Sequence, residues 1–274
     1  MTLGTADLVL VLWLFIPFLS YFLYWYEFAS CDERYKLQGP HLLRVAFGFL
    51  TSVASIPLLV LTYPMGFFHS WLEWQGSERP KAIVVCIHGL FHNPSAWIFY
   101  RFLLPKKGFH MKVLYHFPWE KDFVTVTRRM VETLTMELPN DETPIILLGH
   151  SLGGVIAGLA GRELHDAGFN VRGVIAMGAP FYGSKLTAFV YFALAKSIGF
   201  KSELLSEARD KMSNPPFKAM QLWSPVDNMV LPLSSLYRVP QGWALERTFP
   251  VSHAAVLYWP SVIKQAMAFI DKAL

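Results

Sequence analysis

The apolar residues of this chain follow different patterns before and after residue 78. Two long apolar runs lie before it, and short apolar runs alternate with amphipathic segments after it. The first long run, residues 8–26, contains no charged residue, and twelve of its nineteen residues are Leu, Ile, Val or Phe. This length and composition predict a transmembrane helix. A cleaved signal peptide fits poorly, because residues 1–7 contain no Lys or Arg and the apolar run is longer than that of a signal.

The second long run, residues 45–72, is also free of charge, but Gly48, Pro57 and several Thr and Ser residues interrupt it. Two interpretations stay open. The run is either a second transmembrane helix at about residues 45–65, or a helix that kinks at Pro57 and lies partly in the membrane interface. In both cases residues 1–77 form a membrane anchor, and we expect an integral membrane protein.

The basic residues predict an orientation for two spanning helices. Arg34, Lys36 and Arg44 lie between the two apolar runs, whereas only Arg79 and Lys81 lie near the opposite ends. The positive-inside rule then places the connection in the cytoplasm and residues 78–274 in a periplasm or a lumen.

Residues 78–274 have the rhythm of a single α/β domain. The short runs are too brief for helices and too uniformly apolar for half-exposed strands, which predicts strands buried on both faces of a parallel sheet. Helical segments between them predict a mostly parallel, doubly wound sheet. The predicted strands are residues 82–87, 112–117, 144–148, 171–177, 219–223 and 245–249, and the predicted helices are residues 96–104, 123–138, 152–167 and 260–273.

Residues 181–217 interrupt this rhythm, because they are longer than one crossover helix requires. Residues 186–200 are apolar enough for a helix, and residues 201–217 are polar. We interpret the whole segment as a cap above the sheet. A long but ordinary crossover is the alternative.

Composition excludes several classes of protein. With 53% hydrophobic residues, 16% charged residues and two cysteines, the chain is neither disordered nor a disulfide framework. The net charge of +4 is small and scattered, which argues against a nucleic-acid partner and suits a surface near anionic lipid. The expected partners are a membrane and a lipid or long-chain ester substrate, and a homo-oligomer stays open.

A candidate nucleophile follows the third predicted strand, in the motif Gly149-His150-Ser151-Leu152-Gly153. A serine in a sharp strand-to-helix turn is held in a strained conformation, and glycines on both sides avoid collisions with the neighbouring strand and helix. The apolar strand before the motif and the small-residue helix after it are the context that this chemistry needs. We therefore predict that Ser151 is a nucleophile.

Serine requires a base, and this fold orders its triad as serine, acid and histidine. Asp227 follows the fifth predicted strand and His253 follows the sixth, which are the positions that the fold requires. Asp210 is a rival acid, but it lies inside the predicted cap. We expect His88 and His150 to be structural, and we place His92, His110, His116 and His165 elsewhere.

The predicted tetrahedral intermediate needs hydrogen-bond donors for its oxyanion. The backbone N–H of Leu152, directly after the nucleophile, is one candidate, and that of Leu90, in the loop after the first strand, is the other. No metal or organic cofactor is predicted: Cys31 and Cys86 lack the spacing of a zinc site, and His88 and His92 lie on a turn rather than one helix face.

Together, Ile87-His88-Gly89-Leu90, the run from Gly149 to Gly154, Asp227 and Ser252-His253 resemble the lipase/esterase branch of the α/β-hydrolase superfamily. The run from Met177 to Ser184 is similar to one in bacterial lipase-like proteins, although Phe181 stands where those proteins usually have histidine. The resemblance covers about residues 81–274.

The resemblance implies an α/β-hydrolase fold with a cap over an acyl pocket, contacted here by Phe189 and Phe192. It also implies a serine hydrolase that cleaves carboxylic esters of lipids through an acyl-enzyme, as a lipase, phospholipase or lysophospholipase does. Two alternatives stay open. The same triad could transfer the acyl group to another acceptor, or the chain could be a catalytically silent membrane receptor or assembly factor.

Overall fold

The computed structural model describes residues 4–30, 41–76, 79–139 and 141–274, without the side chains of residues 5–10 and 12. Six parallel strands form one sheet in the order β2-β1-β3-β4-β5-β6. The strands are β1 (Ile83–Ile87), β2 (His110–Leu114), β3 (Ile145–His150), β4 (Val171–Met177), β5 (Lys218–Trp223) and β6 (Ala244–Arg247). The predicted fold class, an α/β-hydrolase fold with a doubly wound parallel sheet, is confirmed.

Helices cover both faces of the sheet. The α-helices of the described residues are α1 (Thr5–Ser30), α2 (His41–Thr62), α3 (His69–Leu72), α4 (Ile98–Leu103), α5 (Phe123–Glu137), α6 (Leu152–Asp166), α7 (Ala193–Ser197), α8 (Glu203–Met212), α9 (Ser234–Tyr237) and α10 (Pro260–Ala273). The apolar sides of α5, α6 and α8 share one core with the sheet, and those of α4 and α10 share the other. The carboxyl edge of the sheet, between these layers, is where the loops meet.

The prediction that every strand is buried on both faces is wrong for β6. All four of its residues are exposed, because β6 is the last strand of the sheet and pairs only with β5. At the opposite edge, the backbone of Trp74 pairs with Met111 of β2 and covers part of that edge.

The segment predicted as a cap consists of two different parts. Residues 186–200 do not form the one helix that their hydrophobicity suggested, since a 3-10 turn (Lys185–Phe189) and the short α7 are separated by extended backbone. The polar part contains α8, which buries Leu205, Ala208 and Met212 in the core beside α6. Helix α8 is therefore the ordinary crossover helix, and only about residues 181–202 remain as a candidate cap.

Helices α1 and α2 pack antiparallel, and we call them the N-terminal helix pair. Trp13 near the start of α1 donates a hydrogen bond to the Val53 carbonyl, and Phe28 near its end stacks on His41 at the start of α2. Helix α2 continues through Pro57. The kink expected there therefore does not end the helix.

The helix pair also lies against the α/β domain that begins near residue 79, which the sequence predicts to be the catalytic domain. Phe47 packs edge-on against Phe249 and Trp259, and beyond the other end of α2 the Tyr63 carbonyl accepts a hydrogen bond from Asn93. Helix α2 thus contacts this domain near its start and just beyond its end.

Among the described residues, one helical segment, residues 41–72, is long and apolar enough to cross a membrane. Length and composition alone do not distinguish such a helix from the core helix of a soluble protein. Arg34 and Lys36, on which the predicted orientation depends, lie outside the described residues, so that orientation stays a prediction.

Candidate active site

Ser151 lies between β3 and α6 in the strained turn that the sequence predicts. Its backbone angles, φ of 55° and ψ of −125°, lie outside the regions that residues other than glycine usually adopt. Glycines make the turn feasible, because a Cβ at Gly149 would collide with the Gly153 carbonyl and a Cβ at Gly153 would collide with the Ile87 carbonyl. The Ser151 N–H is held by the Met177 carbonyl at 2.8 Å. The result is a half-buried hydroxyl above the carboxyl edge of the sheet.

The loop after β1 approaches this turn closely. A Cβ at Gly89 would lie 2.9 Å from the Ser151 Cβ, so a larger residue would push the loop away from the nucleophile. Leu90 follows in this loop, and the Leu152 N–H belongs to the first turn of α6, where helix amides lack an intrahelical acceptor. Both candidate oxyanion donors are therefore on segments that flank Ser151.

Asp227 and His253 are brought together although 26 positions separate them. The Asp227 carboxylate is buried, and its Oδ2 lies 2.6 Å from His253 Nδ1. Its other oxygen accepts the N–H groups of Met229 and Val230, both at 2.9 Å. These bonds fix the carboxylate, which selects the imidazole tautomer with a proton on Nδ1 and leaves Nε2 as a proton acceptor.

The base and the nucleophile share one edge of the sheet. Gly178, directly after Met177, has a φ of +62°, and a Cβ on it would lie 3.2 Å from the His253 ring. The same backbone segment thus holds the Ser151 amide on one side and adjoins His253 on the other. Glycine is needed at residue 178 for its backbone conformation and for this close approach.

A cluster of four other histidines surrounds the site, and sequence reasoning located only two of them there. His116 stacks on His88 at 4.2 Å and donates to its carbonyl, and His150 lies 4.6 Å from His253 and donates to the His253 carbonyl. His92 Nε2 and the Tyr258 hydroxyl are hydrogen-bonded at 3.4 Å. The expectation that His92 and His116 lie away from the catalytic turns is therefore wrong.

Burial keeps these four rings neutral. It lowers the pKa of His88 and of His150 well below the ordinary value of an imidazole, and neighbouring imidazoles lower it further. It lowers the pKa of His92 and of His116 to about 4. A neutral ring can support the loops through hydrogen bonds, whereas His253 is the histidine paired with a carboxylate.

The other residues singled out in the sequence are the rival acid Asp210 and three phenylalanines, and they differ in burial and position. Asp210 is exposed on α8, and Phe181 is a core residue packed edge-on against Trp243. Phe192 is 40% exposed and packs edge-on against Phe91, next to Leu90, whereas Phe189 is 78% exposed at the surface. The structure thus places Phe192 beside the loop that contains Leu90, the candidate oxyanion donor, and leaves Phe189 exposed at the surface.

Sequence reasoning missed Asn228, which accepts the His253 N–H at 3.1 Å. Its position directly after Asp227 was the available signal. No group of three or more His, Cys, Asp or Glu within the described ranges is arranged to hold a metal ion.

The parallel sheet, the strained serine turn at its carboxyl edge and the acid–histidine pair after β5 and β6 define the α/β-hydrolase class. The sequence model of the alpha/beta hydrolase family matches residues 84–268, well over half of the chain. The chain belongs to this family. No curated protein matches it by sequence.

Solved structures of this fold are similar to the chain at low sequence identity. Mature lipase BlEst2 of Bacillus licheniformis aligns with a TM-score of 0.59 and 18% identity, over 72% of this chain and 96% of that one. YbtT, a type II thioesterase of the yersiniabactin biosynthetic pathway, aligns with a TM-score of 0.54 and 16% identity, over 73% and 97%.

A membrane phospholipase A, a bacterial virulence factor, aligns with a TM-score of 0.51 and 16% identity, over 85% of this chain and 96% of that one. This match covers more residues than 78–274 contain, so it extends into the N-terminal region. At these identities the similarities show the fold alone.

Proposed function

We propose that the protein is a membrane-associated serine hydrolase that cleaves carboxylic ester bonds of lipids through an acyl-enzyme. The observation that carries the proposal is the buried hydrogen bond between Asp227 and His253 Nδ1 at the edge where the strained turn presents Ser151. A serine hydroxyl becomes a useful nucleophile only beside an oriented base. Full retention of all three residues argues for catalysis rather than a silent binding protein.

In this mechanism His253 Nε2 removes the proton of Ser151 Oγ as the oxygen attacks the ester carbonyl carbon. The N–H groups of Leu90 and Leu152 stabilise the resulting oxyanion. Protonated His253 then gives its proton to the departing alcohol, which leaves the acyl group on Ser151. A water molecule, deprotonated by the same nitrogen, hydrolyses this ester and releases a fatty acid.

The lipid class of substrate is supported by the surface of the helix pair. The buried positions of α2 carry only glycine, serine or threonine, and large apolar side chains are exposed on both helices, which is the reverse of a surface helix in water. On α1 the exposed side chains include Phe15, Phe18 and Phe22, and on α2 they include Leu43, Leu50 and Leu61. An exposed apolar surface of this extent suits a lipid interface.

The neighbouring cap extends this apolar surface. Phe189 and Tyr191 are exposed there, and Lys185 joins the cap to the helix pair through an ion pair with Glu27 at 2.6 Å. Lipid could then reach Ser151 from the membrane without crossing water. The fold similarity to the membrane phospholipase A, extending beyond the catalytic domain, also supports this proposal.

Labelling with a fluorophosphonate probe tests the proposal. The wild-type protein is expected to label at one site and to hydrolyse carboxylic esters, and Ser151→Ala is expected to lose labelling and about 10⁶ in turnover. Ser206→Ala, which changes an exposed serine on α8, is the matched control and should label normally.

Unchanged labelling of Ser151→Ala would place the nucleophile elsewhere. A folded wild-type protein that neither labels nor turns over esters would show that the protein is catalytically silent. Analysis of the products, free fatty acid against a new ester or amide, separates hydrolysis from acyl transfer.

A further inference from the structure

The inner face of the N-terminal helix pair carries hydroxyl groups that face the loops of Asp227 and His253. Ser20, Thr51 and Ser52 are all buried. In an apolar helix such hydroxyls ordinarily bond to a carbonyl of the preceding turn. Ser55 and Thr62 of α2 do this and have no partner in the catalytic domain among the described residues. Ser20 and Thr51 also bond to a carbonyl of their own helix. Unlike Ser55 and Thr62, however, Ser20, Thr51 and Ser52 each accept a further hydrogen bond from the catalytic domain.

Thr51 holds the backbone directly before the base. Its hydroxyl group donates a hydrogen bond to the Gly48 carbonyl at 2.8 Å, and the hydroxyl oxygen accepts one from the Ser252 N–H at 2.9 Å. Ser252 is adjacent to His253 and is itself buried. Without Thr51 this backbone N–H would be a buried donor with no acceptor.

Asn228 holds the next backbone amide and is itself held by the helix pair. Its Oδ1 accepts the His253 N–H at 3.1 Å. Its Nδ2 donates to Ser20 Oγ at 2.7 Å and to Ser52 Oγ at 3.5 Å. These bonds fix the direction of the Asn228 side chain, so α1 and α2 both contribute to the placement of His253.

Two tyrosines of α1 hold the loop of the acid in the same way. The Tyr21 hydroxyl donates to the Val226 carbonyl and the Tyr24 hydroxyl to the Pro225 carbonyl, both at 2.9 Å. Gly48 of α2 leaves room for the first contact, because a Cβ there would collide with the Tyr21 hydroxyl. The two residues before Asp227 are thereby tied to α1.

The loops need this support because the strand before His253 contributes little. Strand β6 has four exposed residues and one neighbouring strand, and the chain then continues through a loop to His253. A base displaced by about 1 Å from its nucleophile loses on the order of 100-fold in rate. Thr51 and Asn228 lie outside this loop and accept the N–H groups of Ser252 and His253. These two hydrogen bonds oppose such a displacement of the base.

We propose that the N-terminal helix pair is a positioning element of the active site, with Thr51, Ser20 and Ser52 as positioning residues for His253. The inference rests on the proposed function, since it assumes that His253 is the base of the Ser151 nucleophile. It assigns the helix pair a role beyond membrane attachment. The outer face contacts lipid, and the inner face holds the acid and the base, so this role persists for a soluble ester that needs no membrane.

The test compares full-length variants in detergent with a short-chain, water-soluble ester. Thr51→Val keeps the size of the side chain and removes the acceptor of the Ser252 N–H. We expect its kcat to fall about 10- to 100-fold while KM stays within about twofold, because the binding surface is unchanged. Thr51→Ser restores an acceptor and is expected to recover kcat to within about threefold of wild type.

Ser55→Ala is the matched control, because Ser55 is buried on the same face of α2 and, within the described part of the chain, its hydroxyl bonds only to its own helix. Its kcat is expected to equal that of wild type. A kcat of Thr51→Val within twofold of wild type, or an equal fall in Thr51→Val and Ser55→Ala, would overturn the inference.

Ser20→Ala provides a second measurement if Thr51→Val does not accumulate as folded protein. It removes the nearer of the two acceptors of Asn228 Nδ2 and keeps a residue that favours helix. We expect slower fluorophosphonate labelling with full final stoichiometry, and an unchanged labelling rate would overturn the inference. Ser151→Ala separates the two proposals: if it labels like wild type, the proposed function fails, and if it does not label while Thr51→Val and Ser20→Ala match wild type, only the positioning role fails.

Discussion

At the scale of single residues, the Asp227 carboxylate has a fixed direction. One oxygen accepts two backbone amides, so only the other is available to the imidazole of His253. In the proposed mechanism the acid therefore acts by orienting the ring and by stabilising the imidazolium that forms when Ser151 loses its proton.

Asp227→Asn is expected to lower turnover of a short-chain ester about 10⁴-fold, because the amide group favours the wrong tautomer of His253. Steady-state kinetics and the rate of fluorophosphonate labelling measure this loss. Asp210→Asn, an exposed change on α8, is the control and should behave like wild type. The reverse result, an active Asp227→Asn and an inactive Asp210→Asn, would identify Asp210 as the acid.

The buried histidines predict a loss of stability in acid. Burial lowers the pKa of His116 from its usual 6.5 to about 4, so between these pH values the unfolded chain binds more protons than the folded one. The free energy of unfolding therefore falls as pH falls from about 6.5 towards 4. By pH 5 this histidine alone costs about 2 kcal/mol.

His116→Gln removes the titration and keeps a donor for the His88 carbonyl. The drop in melting temperature between pH 7 and pH 5 is expected to be smaller in this variant than in wild type. His69→Gln, at an exposed histidine of α3, should leave the wild-type drop unchanged. Equal pH dependence in all three proteins would contradict the assignment.

At the scale of elements, the segment after β4 shows why an apolar run is not by itself a helix. Residues 186–200 contain the aromatic and apolar side chains of a helix, but they lie over the site as short turns, with Phe192 against Phe91. The mostly polar segment that follows makes the regular helix α8, because its apolar residues Leu205, Ala208 and Met212 reach the core. Tertiary contacts override local propensity here.

Phe192→Asp is expected to raise KM for long-chain esters at least tenfold more than for acetate or butyrate esters, because a charge beside the oxyanion loop opposes binding of an acyl chain. Phe189→Asp should also raise KM more for long-chain than for short-chain esters, but by a smaller factor, because Phe189 is more exposed than Phe192. Met136→Asp, at an 80% exposed residue of α5, is the control. Equal changes for long and short esters would mean that the cap does not line the acyl site.

At the scale of the whole molecule, apolar side chains cover the outer face of the helix pair while its inner face is bound to the catalytic domain. Burying one such side chain in lipid gains about 1.5 to 3 kcal/mol. Several together would hold the protein at a membrane with the carboxyl edge of the sheet close to the lipid.

The double variant Phe18→Lys/Phe22→Lys on α1 is expected to bind lipid vesicles at least 100-fold more weakly than wild type, as measured by flotation. Turnover of a soluble ester should not change, because both side chains are exposed and the buried face of α1 keeps its contacts with the loop of Asp227. Met136→Lys serves as the control for the added charge. Vesicle binding equal to wild type would show that this face is not the lipid surface.

The strands, the serine turn and the order of the site residues could be predicted because each depends on short-range patterns. A buried strand is read from a few consecutive apolar residues, and a turn with Gly149, Ser151 and Gly153 needs small residues at fixed spacing. Placement of Asp227 and His253 after the last two strands followed from the fold. In the structure these residues are hydrogen-bonded to each other.

The sequence by itself determined the α/β architecture and the chemistry offered at the carboxyl edge of its sheet, since hydrophobic period and motif spacing are local properties. Only the tertiary structure decided the role of the N-terminal helix pair. Read along the chain, Thr51 and Ser52 simply weaken an apolar run. In the fold, Thr51 accepts an amide 201 positions away, next to His253. No local pattern encodes such a contact, because the free energy that selects it comes from satisfying a buried donor in another part of the chain.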